Sequence, residues 1–211
     1  MPEPQRRVWD DLIQIPPDFV LYGGTAISVR LAHRESVDFD FFSALPFAPN
    51  DLLRSLPMLR DSAVKSAREN TLLCSVERNG PVSMSFFGGL DLNRVEDPDQ
   101  TAKNNLSVAS LLDLAATKLK VLWDRATFKD YFDIDVLLQS GVDLSTALAA
   151  ARAVYGPKFN PMISLKALSY FGDGDVFRLS RDAQERLLAA TARVDAAHLP
   201  TITAKPGLTH S

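Results

Sequence analysis

Two aspartates inside a short apolar stretch place the strongest limit on how this chain can fold. The stretch covers residues 37–42 and has the sequence Val-Asp-Phe-Asp-Phe-Phe. Alternate side chains of a β-strand point to opposite faces, so Asp38 and Asp40 would share one face and Phe39 the other. Two neighbouring carboxylates repel each other unless a cation neutralises them. The spacing therefore predicts a strand whose polar face binds a divalent ion, Mg²⁺ (or Mn²⁺), together with phosphates of a substrate.

A glycine pair precedes this strand. Gly23, Gly24 and Thr25 follow an apolar segment at 19–22 that is expected to be a strand. Glycine lets the backbone approach a ligand closely, and a helix that begins at Thr25 would point free amide groups at an anion. Each motif alone has an ordinary alternative, because most glycine pairs form simple turns and many surface strands carry alternating acids. Together the motifs predict a phosphate site beside a metal site, as nucleotide chemistry requires.

Length and composition indicate a globular protein without a membrane segment. The chain has 211 residues, of which 46% are hydrophobic and 23% are charged. Its net charge of −3 provides no general basic surface, so contact with RNA would need a local patch. The only cysteine, Cys74, cannot form an intramolecular disulfide and fits a reducing compartment. No segment has the features of a signal peptide or of a membrane span, so we expect a cytoplasmic protein.

The hydrophobic pattern divides the chain into two halves. Strands are expected at 19–22, 36–42, 64–67, 71–77 and 82–87, with short helices between some of them and a loop at 90–105. From residue 107 onward the apolar residues recur at three- and four-residue spacing, which predicts helices. We therefore expect an α+β fold, with a small mixed β-sheet in residues 1–100 and a helical subdomain in residues 101–211.

A lysine and two aspartates stand out in the helical half. Lys118 lies in an apolar stripe of its helix, where its ammonium either reaches water along the extended side chain or enters a cleft to hold a triphosphate. Asp130 and Asp133 are three residues apart and share a helix face. They form either an acidic surface or ion pairs with Arg125 or Lys129.

The group of residues around Asp38 and Asp40 and the group around Lys118 and Asp130 both resemble motifs of one family. The first resembles the active-site signature of the nucleotidyltransferase superfamily, in which a strand ends in two small residues, a helix follows and the next strand carries Asp-x-Asp. The longer run resembles the abortive-infection toxins of the AbiEii/AbiGii type, and it comprises Gly23-Gly24-Thr25-Ala26, His33-Arg34, Ser36 and Asp38-Phe39-Asp40-Phe41-Phe42. A second motif of the same toxins is similar to Lys118, Arg125, Lys129-Asp130, Asp133 and Leu137. The two motifs cover residues 20–43 and 107–139.

The resemblance implies a polymerase-β-like core and a metal-dependent nucleotidyltransferase that moves NMP from an NTP to a hydroxyl acceptor, with RNA or tRNA as the candidate acceptor. It also implies the toxin of a bacterial toxin–antitoxin pair in phage defence, with a cognate antitoxin as partner. Asp38 and Asp40 would be catalytic and hold the metal ion, and Lys118 would neutralise the triphosphate. The nucleotide-binding set would be Gly23, Gly24, Thr25, Arg34, Ser36 and Lys118, supported by Ser85, Arg125 and Asp133.

One residue that such enzymes carry is missing at its expected position. A third carboxylate on a later strand usually helps to hold the metal and accepts the proton of the attacking hydroxyl. The corresponding stretch at 82–87 has Ser83 and Ser85 on one face, and serine cannot accept that proton at neutral pH. Asp130 is the first candidate to replace this acid as a catalytic residue, and Asp91 is the second. The alternative functions are a non-catalytic nucleotide-binding or regulatory protein and a protein–protein docking module.

Overall fold

A seven-stranded mixed sheet and eight α-helices make up the computed structural model, which describes residues 1–209. This architecture confirms the expected α+β fold. The chain forms two compact units. The sheet unit comprises residues 1–92 and 97–110 with the segment that begins at Pro206, and the helical unit comprises residues 93–96 and 111–205.

The sheet unit contains every strand of the described residues. They are β1 (Val20–Tyr22), β2 (Asp38–Phe42), β3 (Ala63–Arg68), β4 (Thr71–Glu77), β5 (Pro81–Phe87), β6 (Asp99–Gln100) and β7 (Ser107–Val108). They lie side by side in the order β3-β4-β5-β2-β1-β7-β6. β2 is antiparallel to β1 and parallel to β5, so it lies in the middle of the sheet. The helices of this unit are α1 (Glu3–Val8), α2 (Gly23–Leu31) and α3 (Pro49–Ser55).

One face of the central strands forms the core of the sheet unit. Phe39, Phe41 and Phe86 are fully buried, and the rings of Phe41 and Phe86 stack with their centroids 4.9 Å apart. Cys74 on β4 is 1% exposed, in agreement with a core position. Burial of one such phenylalanine stabilises the fold by about 1.5–3 kcal/mol. These rings therefore hold β2 in one orientation and direct its aspartates to the opposite face.

The sequence pattern does not predict β6 and β7. It predicts a loop at 90–105 and a helix from residue 107, whereas the helix begins at Leu111. β7 forms because it pairs in parallel with β1 and because Arg30 on α2 holds it. The Arg30 guanidinium donates hydrogen bonds to the carbonyls of Val108 and Ala109 at 2.9 and 2.7 Å, and it pairs with Asp99 at 2.7 Å. Arg30 thus anchors the last turn of α2 to the sheet.

The helical unit consists of α4 (Leu111–Val121), α5 (Phe128–Gln139), α6 (Leu144–Tyr155), α7 (Pro161–Leu168) and α8 (Arg181–Ala192). Arg186 on α8 donates two hydrogen bonds, of 2.9 and 2.7 Å, to the buried carboxylate of Asp135 on α5. Ser164 on α7 accepts a hydrogen bond from the Trp123 indole and donates one to the Leu119 carbonyl. Within residues 1–209, no single helix is long and apolar enough to cross a membrane.

Candidate active site

The two aspartates of β2 lie on one face of the sheet. Asp38 is exposed and Asp40 is half-buried, whereas Phe39 and Phe41 on the opposite face have no exposed surface. Residues two apart in a strand are separated by about 6.6 Å along it, so two aspartate side chains can converge on one ion. The structure therefore places both predicted metal ligands on one polar face.

The glycine turn after β1 meets the second of these aspartates. Tyr22, the last residue of β1, is paired in register with Asp40. Gly23 follows with a φ of +73°, which residues with a Cβ rarely adopt. A Cβ at this position would also lie 2.6 Å from Oδ2 of Asp40. Glycine is needed here both for the turn and for the close approach of the carboxylate.

The next glycine is covered by an arginine and a serine from the segment after α2. A Cβ on Gly24 would overlap with Nη2 of Arg34 and would lie 3.1 Å from Oγ of Ser36. Both side chains therefore lie against the first turn of α2, where the backbone amide groups have no partner within the helix. The structure brings together Gly24, Arg34 and Ser36, three of the residues predicted to bind a nucleotide.

Two hydroxyl groups on α2 hold in place the segment between α2 and β2. Ala32 ends the helix with a φ of +50°, which turns the chain back. The Ser28 hydroxyl donates a hydrogen bond of 2.9 Å to the Arg34 carbonyl, and the Thr25 hydroxyl donates one to the Asp38 carbonyl. Thr25 and Ser28 are one helical turn apart and share a face. The Thr25 hydroxyl is thus used to join α2 to β2, and its amide group remains at the helix N-terminus.

A cavity of about 240 Å³ opens beside this turn. Its walls include Thr25, Arg34 and Ser36, which the sequence motif predicts, and also Ser28 and Glu35, which it does not. Ser28 could have been found from its position one helical turn after Thr25. No sequence signal marks Glu35. Arg34 provides a cation and Ser36 a hydroxyl group, which suit phosphate oxygens, whereas Glu35 adds a negative charge to the wall.

The strand beside β2 carries serines where a third acid was expected. Ser83 is in register with Asp38, and Ser85 with Asp40, in the parallel pairing of β5 with β2. Asp91, the second candidate replacement, is exposed in the segment after β5. No group of three or more His, Cys, Asp or Glu side chains in residues 1–209 is arranged to hold a metal ion. Two carboxylates still fit Mg²⁺, which commonly takes one or two together with substrate phosphates.

A second polar cluster lies inside the helical unit. The ammonium of Lys118 is 2.7 Å from Oδ1 of Asp130 and 2.8 Å from Oδ2 of Asp133. The side chains of these three residues are 9%, 1% and 0% exposed. Neither an extended lysine in water nor an acidic surface is correct, because all three groups are buried and paired. α4 supplies the lysine and α5 supplies both aspartates.

Asp130 accepts hydrogen bonds on both of its oxygens. Besides Lys118, it bonds to Nε of Arg125 at 2.8 Å and to the Thr127 hydroxyl at 2.6 Å. Burial raises the pKa of Asp130, but the hydrogen bond from Arg125, the charge of Lys118 and the hydrogen bonds from Lys118 and Thr127 outweigh it and lower the pKa. Asp130 therefore stays ionised and orients the two cations.

Comparison with known proteins identifies the family. A family model described as Nucleotidyl transferase AbiEii toxin, Type IV TA system, matches residues 10–202. An uncharacterised protein of Aquifex aeolicus (strain VF5) is 29% identical over 159 residues, which cover 74% of this chain and 75% of that protein. The match to the family model extends over both units and includes both predicted motifs.

Two solved structures share the fold. One, the crystal structure of a protein from H. pylori, has a TM-score of 0.59 at 15% sequence identity and covers 90% of this chain and 91% of that one. The other, the nucleotidyltransferase toxin MenT4 of Mycobacterium tuberculosis H37Rv, has a TM-score of 0.57 at 16% identity and covers 90% of this chain and 83% of that one. The chain, matched by the family model over most of its length, belongs to the AbiEii family of nucleotidyltransferase toxins of type IV toxin–antitoxin systems.

Proposed function

We propose that this toxin transfers NMP from an NTP to a hydroxyl group of an acceptor, with Mg²⁺ (or Mn²⁺) held by Asp38 and Asp40. The single observation that carries the proposal is the close packing of the Asp40 carboxylate on Gly23. It joins an acidic strand to a phosphate-binding turn within one unit. When bound, the ion would neutralise charge on the triphosphate and on the leaving pyrophosphate.

The residues around α2 would bind the triphosphate. The amide groups of Gly24 and Thr25 lie in the first turn of the helix, where anions are favoured. Arg34 and Ser36 would donate hydrogen bonds to phosphate oxygens from the adjacent segment. In the transfer, the acceptor oxygen bonds to the α-phosphorus while the bond from that phosphorus to pyrophosphate breaks. The acceptor proton is released to solvent water, and the Arg34 charge would stabilise the pyrophosphate as it leaves.

Lys118 and Asp130 are also proposed to take part in the reaction. A buried carboxylate with a shifted pKa is common at functional sites, and the lowered pKa of Asp130 supports a role for this cluster. Lys118→Met should raise the KM for NTP, whereas Lys120→Met, which removes a half-buried lysine paired with the exposed Asp124, should not. Asp130→Asn should lower kcat more than it raises KM if the carboxylate acts in the transition state. Circular dichroism of each variant would verify folding.

The finer biological assignments rest on family membership. We propose RNA, and tRNA in particular, as the acceptor, action in the cytoplasm and a part in phage defence. A type IV toxin–antitoxin family implies an antitoxin encoded as its partner. Because the net charge is −3, RNA binding would depend on local cations and should weaken steeply with added salt.

A labelling experiment tests the proposed transfer. The protein is incubated with Mg²⁺, total RNA and each of the four α-³²P-labelled NTPs in turn, and the RNA is separated on a gel. The wild type should label RNA with at least one NTP, and Asp40→Asn should not. Asp51→Asn, which removes an exposed carboxylate paired with Arg54 on α3, should label as the wild type does. Absence of both label and pyrophosphate with every NTP would contradict the proposal.

The second candidate is a nucleotide-binding protein without transferase activity. Ser83 and Ser85, in register with the two aspartates, favour it because they cannot accept a proton. Such a protein would still be stabilised by its ligand through mass action. A rise in melting temperature with Mg²⁺ and an NTP, combined with no pyrophosphate release, would support this function instead.

A further inference from the structure

Serines lie beside both aspartates on the neighbouring strand of the sheet. Ser85 on β5 is paired in register with Asp40, and Ser83 with Asp38. On the far side of β5, Ser75 of β4 is paired with Ser83. Register partners in a sheet point to the same face, and neighbouring strands are about 4.8 Å apart. Ser85 is thus next to Asp40, whereas Ser75 is two strands away from β2.

Few negative charges are available to a metal ion at this site. Within residues 1–209 no third His, Cys, Asp or Glu side chain joins Asp38 and Asp40 in a group arranged to hold a metal ion. The number and charge of its ligands set how tightly a site binds a divalent cation. Mg²⁺ also gives up its water molecules reluctantly and usually keeps several of them. Two carboxylates beside neutral hydroxyls therefore form a weak site when no nucleotide is present.

We infer that the divalent ion enters this site bound to the nucleotide, and that serine at position 85 sets this order of binding. The inference rests on the proposed function. Phosphate oxygens would complete the ligands of the ion, while Arg34 and Ser36 hold other oxygens of the same triphosphate. Ion and nucleotide then raise each other's affinity by the same factor. Couplings of this kind commonly amount to about 5- to 150-fold.

A third carboxylate at position 85 should remove this dependence. Ser85→Asp places an acid in register with Asp40 on the adjacent strand, so the free protein should bind the ion by itself. Ser75→Asp is the matched control, because it adds the same charge to the same face two strands from Asp38. Ser85→Asn adds the same bulk without the charge. In the absence of nucleotide, Ser85→Asp should bind the ion more tightly than the wild type and both control variants.

The binding of Mn²⁺ is measured by electron paramagnetic resonance, with and without α,β-methylene analogues of the four NTPs. For the wild type, the analogue that binds should tighten Mn²⁺ binding by at least about tenfold. For Ser85→Asp, binding without nucleotide should be at least about tenfold tighter than for wild type, Ser75→Asp and Ser85→Asn. Melting temperature with each analogue reports nucleotide binding separately. Should Ser85→Asp fail to fold, Ser83→Asp, in register with Asp38, tests whether a third carboxylate on β5 removes the dependence on nucleotide.

The outcomes separate this inference from the proposed function. If the wild type binds Mn²⁺ equally well with and without an analogue that raises its melting temperature, the order of binding is wrong and nucleotide binding stands. If Ser85→Asp binds Mn²⁺ no better than Ser75→Asp, position 85 does not set the order. If no analogue binds in the presence of Mn²⁺, the proposed function itself is wrong.

Discussion

Asp40 and Gly23 are so close that a Cβ built on Gly23 would lie 2.6 Å from Oδ2 of Asp40. Carbon and oxygen atoms at that distance overlap, so the contact exists only because residue 23 has no side chain. The glycine turn and the strand that carries the aspartates are therefore coupled through this pair. A side chain at position 23 should therefore displace the carboxylate of Asp40.

Gly23→Ala should lower the free energy of unfolding by about 1–3 kcal/mol, because alanine is strained at a φ of +73°. It should also weaken NTP binding, because Asp40 must move away from the methyl group. Gly156→Ala is the control, since its φ is +69° and an added Cβ meets nothing within 4 Å. Urea denaturation and calorimetric NTP titration measure the two effects. Wild-type NTP affinity in Gly23→Ala would show that the contact is not functional.

Arg34→Met should raise the KM for NTP by about 10- to 100-fold, because a hydrogen bond to a charged group contributes about 1.5–3 kcal/mol. The guanidinium lies against Gly24 at the first turn of α2, where a phosphate would bind. Arg54→Met removes an exposed cation that pairs with Asp51 and should leave KM unchanged. Steady-state kinetics of pyrophosphate release compares the variants. An unchanged KM in Arg34→Met would exclude this arginine from phosphate binding.

Asp130 should stabilise the protein only above a certain pH. The hydrogen bond from Arg125 and the charge of Lys118 hold the pKa of Asp130 below its usual range although burial raises it. In the unfolded chain an aspartate has a pKa of about 3.9. The stabilisation is therefore present above about pH 4 and is lost as the pH falls through the lower pKa of the folded state.

Asp130→Asn measures this contribution. At about pH 6 the variant should be less stable than the wild type by about 3–5 kcal/mol, because Lys118 and Arg125 lose a buried partner. The difference should shrink as the pH falls below about 4. Urea denaturation over a series of pH values provides both numbers. A difference that stays constant down to about pH 2 would contradict the lowered pKa.

Gln5→Met should stabilise the sheet unit. Gln5 on α1 is 2% exposed, and neither of its amide atoms has a hydrogen-bond partner among the described residues. A buried amide without partners costs about 1–3 kcal/mol, which methionine of similar shape would avoid. Gln14→Met should have the opposite effect, since Oε1 of Gln14 accepts a hydrogen bond of 3.2 Å from the Met58 amide. Thermal denaturation of both variants tests the pair.

The strand that carries the two aspartates could be predicted because its signal is local. The alternation of aspartate and phenylalanine in residues 38–41 determines which face is buried, and the observed β2 lies within the expected 36–42. The glycine turn depends on neighbouring residues as well, and α2 begins at Gly23, two residues before the expected start. Short-range patterns of this kind need no knowledge of the remaining chain.

Contacts between distant segments could not be predicted in this way. The sequence did not decide between a solvent-exposed and a buried ammonium for Lys118. Its partner Asp133 lies on another helix, and the two residues meet only because the helices pack against each other. The two residues of β7 are too few to show an alternation of hydrophobic and polar side chains. Their strand depends on pairing with β1 and on hydrogen bonds from Arg30. Arg34 was expected to bind phosphate, but its place on Gly24 follows from the hydrogen bond that Ser28 makes to its carbonyl.

The anchoring of α2 by Arg30 determines how the site responds to its ligand. Because the guanidinium donates hydrogen bonds to the carbonyls of Val108 and Ala109, these contacts oppose tilting or sliding of the far end of the helix. The amide dipoles at the opposite end therefore point in one direction before any nucleotide arrives. If a nucleotide binds here as proposed, little of the binding free energy would be used to orient them, and the helix would act as a preorganised receptor.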